Sequence, residues 1–264
     1  MVTTPSHSTA TKALYWTTIL SACTMGETAG DFVSFGLRFG YGWAASALGA
    51  LLVMVLVAEA RAKTPSDARY WTTIVVMSTT GTALADLLTR TLKLGYGGGS
   101  ALLTALFGVI YVAERLTKST RVFAKAIGAD HVVLPHVVVP MQTRSVPQTD
   151  AFYWAVILVA STFGTTMGDF VSSILKLGFG GASFLLGSLL AVVLTVEFRA
   201  KTPNKSRYWT ALVIASTIGA TTGDFLTKED GLNLGYGWGS LILIAAFAII
   251  FLARYLLGFF AFPA

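Results

Sequence analysis

The sequence predicts an all-α membrane protein: eight transmembrane helices, built as four parallel two-helix repeats arranged in two duplicated halves. Three observations carry this prediction. The 264-residue chain is 54% hydrophobic and only 12% charged, with a mean hydropathy of +0.68, too apolar for an ordinary soluble domain. Uncharged runs at 39–58, 94–113, 177–196 and 231–253 each reach the roughly 20 residues that a bilayer crossing needs. Finally, Trp16, Trp71, Trp154 and Trp209 each follow a tyrosine, and 15 residues beyond each tryptophan stands Asp31, Asp86, Asp169 or Asp224.

The repeat unit can be justified element by element. Its first helix starts at the tyrosine–tryptophan pair; the apolar stretches 13–26, 70–85, 151–168 and 208–223 run uncharged for 14 to 18 residues before an acid appears. A Gly-aromatic-Gly turn follows at 40–42, 95–97, 178–180 and 235–237, and opens the fully apolar second helix. Adding 138 to Trp16, Asp31, Glu59, Trp71 and Asp86 gives Trp154, Asp169, Glu197, Trp209 and Asp224, so the chain is a duplicated half that is itself a duplicated pair. Each unit holds an even number of spans, so all four enter the membrane in the same direction. The halves are 1–115 and 151–264, joined by a linker at 116–150 that contains His131 and His136, read as solvated.

Charge gives sidedness. The connections between units and the two ends hold 14 of the 19 lysines and arginines, the turns inside units only 5. The positive-inside rule therefore puts both termini and the linker in the cytoplasm. The four repeat tryptophans are expected to form the inner aromatic belt, with Trp43 and Trp238 in the outer one. A net charge of +6 in so apolar a chain reflects this asymmetry, not nucleic-acid binding. The bilayer is the expected partner.

Composition also excludes chemistries. One cysteine, Cys23, rules out an internal disulfide and a cysteine cluster; it stands where the other units have Ser78, Ser161 and Ser216, which argues against a lipoprotein cleavage site there. No histidine falls within a predicted span and no nucleophile–base pair is visible, so neither an enzyme nor a haem subunit is expected, and no cofactor.

Four tandem two-span units, each with its tryptophan and a Gly-Asp or Ala-Asp pair at 30–31, 85–86, 168–169 or 223–224, resemble a family of bacterial multi-pass membrane proteins defined by a tandem repeat of unknown function. The resemblance implies the architecture and a bacterial inner membrane. It brings no substrate and no functional residue.

The candidate site comes from the first helices. Counting back from each aspartate, Gly26, Gly81, Gly164 and Gly219 stand at minus five, and Gly30, Ala85, Gly168 and Gly223 at minus one. Small residues four apart form a seam along which membrane helices approach closely. Beside the seam, positions minus eight, minus four and zero share a stripe, and hydroxyls at Thr24, Thr79, Thr162 and Thr217 stand next to it at minus seven. Each aspartate lies roughly 22 Å from the tryptophan level, inside a hydrocarbon core of about 30 Å. A carboxylate at such depth costs at least about 2.5–3.5 kcal/mol unless paired, hydrated or cation-bound. Glu27 adds an acid one turn below Asp31.

The expected function is transport of a cation, with Asp31, Asp86, Asp169, Asp224 and Glu27 lining the path. Oxygen donors suit hard ions such as Mg²⁺, Mn²⁺, Ca²⁺ or Na⁺, or protons, and the sequence leaves the metal unknown. The alternative is a structural or accessory membrane protein whose aspartates pair with Arg38, Lys93 and Lys176, each seven residues further on.

Overall fold

The computed structural model describes residues 9–64, 66–126, 150–200 and 204–256. Among these the chain forms eight α-helices joined by short turns: α1 (Thr9–Asp31), α2 (Gly40–Arg61), α3 (Asp67–Asp86), α4 (Gly95–Ala126), α5 (Ala151–Asp169), α6 (Gly178–Arg199), α7 (Lys205–Thr227) and α8 (Gly235–Leu256). Side chains start two of the first helices: Asp150 accepts from the Tyr153 amide at 2.8 Å, and Asn204 from the Ser206 amide at 2.8 Å.

Three of the four first helices do not stop at the aspartate. Phe32–Gly36, Leu87–Thr91 and Phe170–Ile174 continue as single π-helical turns, closed by amide bonds such as Leu37 N–H to the Phe32 carbonyl at 2.8 Å. Two positive-φ residues then reverse the chain: Arg38, Lys93, Lys176 or Asn233, with φ of 51° to 57°, and Gly40, Gly95, Gly178 or Gly235, with φ of 63° to 71°. The first glycine of each Gly-aromatic-Gly motif is thus a backbone requirement. The fourth unit, with two more residues between aspartate and glycine, keeps an α bond from the Lys228 amide to the Asp224 carbonyl and makes a wider turn.

The first helices form a closed inner ring: α1 packs on α3, α3 on α5, α5 on α7, and α7 on α1. Each second helix lies outside and packs on the first helix of the following unit, α2 on α3, α4 on α5, α6 on α7 and, closing the circle, α8 on α1. The glycine seam explains the close inner approach. A Cβ placed on Gly81 would lie 2.6 Å from the Ser161 Cβ, one on Gly164 2.7 Å from Ser216, and one on Gly219 2.5 Å from the Cys23 Cβ. Gly26 meets Ser78 in the same way, so minus five of one unit fits against minus eight of the next, all round the ring.

This arrangement accounts for hydropathy. The outer helices α2, α4, α6 and α8 are long and apolar enough to cross a membrane, and so is α5 with its π turn, Ala151–Ile174. α1, α3 and α7, rich in Thr, Ser and Gly, fall short of that apolarity, and their polar faces meet one another in the interior. Threonine hydroxyls along them return to carbonyls of their own helix, as Thr18 does to Leu14 at 2.7 Å.

One expectation changes here. Trp16, Trp71 and Trp154 are buried against the first helices, not spread as a lipid-facing belt, whereas Trp43 and Trp238 are exposed. The tryptophans fill the wedges between tyrosines of adjacent units: Tyr15 with Trp71, Tyr70 with Trp154, Tyr153 with Trp209 and Tyr208 with Trp16, at 5.6 to 5.8 Å between centroids. The glutamates closing the second helices pair with bases at the starts of first helices in other units: Glu59 with Arg69 and Glu197 with Arg207 in the next unit, and Glu114 with Lys205 in the fourth. In the linker, α4 continues past Leu116 to Ala126; His131 and His136 lie outside the described residues.

Candidate site at the aspartate end of the ring

Every fourth residue of a first helix returns to nearly the same face, so closing the ring stacks the repeats in layers. Sixteen residues before the aspartates, the hydroxyls of Tyr15, Tyr70, Tyr153 and Tyr208 form a closed cycle, with successive O···O distances of 3.2, 2.6, 3.2 and 2.8 Å. Four residues on stand Ile19, Ile74, Ile157 and Leu212, all 3% exposed or less. The next layer is Cys23, Ser78, Ser161 and Ser216, with Cys23 Sγ 3.8 Å from Ser216 Oγ. Then come Glu27, Thr82, Thr165 and Ala220, and finally the four aspartates, some 24 Å from the tyrosines at about 1.5 Å per residue. The apolar layer separates the hydroxyl cycle from the acids.

The acids are buried: Glu27 3%, Asp31 2%, Asp86 3%, Asp169 6% and Asp224 3% exposed. Glu27 Oε2 accepts from Thr165 at 2.6 Å and from Thr82 at 2.9 Å, so three repeats hold one carboxylate. Two bases serve the aspartates. Arg90 donates through Nε to Asp86 Oδ1 at 2.7 Å and brings Nη2 to 3.9 Å from Asp169 Oδ2. Lys228 Nζ lies 2.6 Å from Asp224 Oδ1 and 3.6 Å from Asp31 Oδ2, and 5.3 Å from the centre of the Phe179 ring. Each base sits one turn beyond its own aspartate and reaches the aspartate of the next unit.

Arg38, Lys93 and Lys176 do not neutralise the aspartates. They occupy the positive-φ turn position and are exposed. Arg90 and Lys228 do that work, and they differ by the same 138 residues that relate the two halves. The i+4 spacing together with that offset was the available signal; the seven-residue interval led elsewhere because a π turn, absent from any regular helix count, intervenes. The structure brings together the four aspartates and Glu27, and adds Thr82 and Thr165. Thr24, Thr79, Thr162 and Thr217 donate to carbonyls four residues back, at 2.9 Å in each case. Gly30 and Gly223 let Thr82 and Glu27 in, since an added Cβ would stand 2.8 and 3.0 Å from them, and Gly168 faces Ala220 and Thr221.

Fold and site together define a class: a closed ring of four two-helix repeats with a carboxylate cluster buried at one end of its polar axis. The family model described as Repeat of Unknown Function (DUF347) matches residues 14–64, 69–120, 152–202 and 207–258. The chain belongs to that repeat family. No curated protein and no solved structure matches it.

Proposed function

We propose that this protein carries a cation across a bacterial inner membrane, with all eight helices spanning it, both termini in the cytoplasm, and the buried carboxylates as the ion's ligands or relay. The observation that carries this is a charge imbalance. Among the described residues five buried carboxyl groups, Glu27 and the four aspartates, face two bases, Arg90 and Lys228, leaving three acids in excess. Low-dielectric surroundings do not tolerate three unmatched charges, so the site holds protons or draws a cation.

The layers support a gated path. Arg90 and Lys228 are partly exposed, so the acids are approached from the aspartate end, while the Ile19, Ile74, Ile157 and Leu212 layer and the tyrosine cycle close the axis beyond them. The alternative, a structural or accessory role for the aspartates, draws on the two bridging bases, which tie unit two to three and unit four to one. It leaves the excess acids, and Glu27 above all, without a purpose.

Reconstituted vesicles decide between them. A panel of Na⁺, H⁺, Mg²⁺, Mn²⁺ and Ca²⁺ fluxes is expected to show at least one ion moved by the wild type and not by Asp31→Asn or Asp169→Asn. Folded variants that move every tested cation as the wild type does, or a wild type that moves none, would remove the proposal.

A further inference from the structure

The ring is fourfold in its helix packing but not in charge, and the two corners that hold a base differ. At the corner between units two and three, Asp86 and Asp169 share Arg90, whose guanidinium is permanently charged and hydrogen-bonded through Nε. At the corner between units four and one, Asp224 and Asp31 share Lys228, a compact ammonium on a flexible stem, and Glu27 joins them. One carboxylate oxygen from each of Glu27, Asp31 and Asp224 falls within 4.8 Å of the other two. Oxygens about one ion at 2.1–2.6 Å stand roughly 3–5 Å apart, so this spacing matches the shell of a hard divalent cation.

A second observation points to a ligand. Asp31 Oδ2 is buried and has no hydrogen-bond partner among the described residues, and Lys228 Nζ stands 3.6 Å away, close enough to pair its charge but too far to donate a good bond. A buried carboxylate oxygen left like this is costly unless something else binds it. The other half of the pocket is already fixed, since the Thr82 and Thr165 hydroxyls hold Glu27 Oε2.

We propose that the Glu27–Asp31–Asp224 corner binds one hard divalent cation per chain, and that Lys228 is the resident counter-ion which the cation displaces. The inference rests on the transport reading and narrows it in location and ion class. Lys228 and a divalent ion compete for the same oxygens, and Phe179, whose ring centre lies 5.3 Å from Nζ, offers the ammonium a second, cation–π contact. The Arg90 corner, with its bidentate-capable fork, stays as the fixed side of the ring.

The test is equilibrium Mn²⁺ binding to detergent-purified protein, with free Mn²⁺ read by electron paramagnetic resonance. One Mn²⁺ per chain is expected in the wild type, with Glu27→Gln and Asp31→Asn weakening it ~10-fold or more, Asp86→Asn weakening it less than either, and Arg38→Ala, at an exposed turn position, changing it less than ~2-fold. Lys228→Gln should tighten binding ~10-fold, and Lys228→Arg, which keeps the charge should the glutamine variant not fold, should weaken it. The proposal is overturned if no Mn²⁺ binds, if Glu27→Gln and Asp31→Asn bind it as the wild type does, or if Lys228→Arg fails to weaken it. Vesicles that carry Na⁺ or protons while the protein binds no Mn²⁺ would sink this site and leave the transport reading standing. Failure of both assays would end both.

Discussion

Arg90 and Lys228 decide how the site is wired, because each serves its own unit's aspartate and the neighbour's. Removing Arg90 leaves Asp86 and Asp169 without their shared base. Arg90→Gln is therefore expected to lower the melting temperature of the purified protein, and adding Asp86→Asn to recover part of the loss; a double variant no more stable than the single would contradict the pairing. The acids themselves were legible, since a fixed interval from each tryptophan exposes them. Their partners were not, because the reach of a side chain across to another repeat depends on which helices are neighbours in the ring. The glycine seam was legible too, and its energetic weight can be checked. Gly164→Ala should destabilise by about 1–3 kcal/mol in thermal unfolding, its Cβ driven against Ser216, whereas Gly187→Ala, which meets nothing within 4 Å, should stay within about 0.5 kcal/mol.

At the scale of elements, the passage from aspartate to second helix carries information that periodicity conceals. A π turn shifts the phase of the helix after Asp31, Asp86 and Asp169, so residues seven along no longer share the aspartate's face and instead occupy the left-handed turn position. Side chains with a Cβ are strained there. Lys176→Gly is expected to be neutral or stabilising by up to about 1 kcal/mol, read as an unchanged or higher melting temperature. A marked loss of stability would mean that Lys176 has a partner its exposed turn position does not provide. The eight helices and the first glycine of each turn were readable from the repeat. The packing of the tryptophans is not legible for a physical reason: aromatic residues at helix starts mark either a lipid interface or a packed end layer, and only ring closure, which sets each tryptophan against the tyrosine of the preceding unit, separates the two.

At the scale of the molecule, sequence similarity among four units gives their number and common direction but not whether they close. The structure closes them, with α7 on α1 inside and α8 on α1 outside. Cys23, the only cysteine of the chain, makes closure testable, because its Sγ lies 3.8 Å from Ser216 Oγ in the last unit. In Ser216→Cys, oxidation with a membrane-permeant reagent should form an intramolecular disulfide between the first and fourth units, seen by mass spectrometry after proteolysis. An open row of repeats would give none. Closure is also what makes the cluster, since aspartates lying 55 to 193 residues apart in sequence meet there, with more carboxyl groups than bases among the described residues. Cation flux in reconstituted vesicles tests that consequence most directly, comparing Asp31→Asn with the turn-base variants Arg38→Ala and Lys93→Ala. The expected result is flux lost in the aspartate variant and kept in the turn-base variants. Equal flux in all of them, with Asp31→Asn folded, would contradict the role assigned to the buried acids.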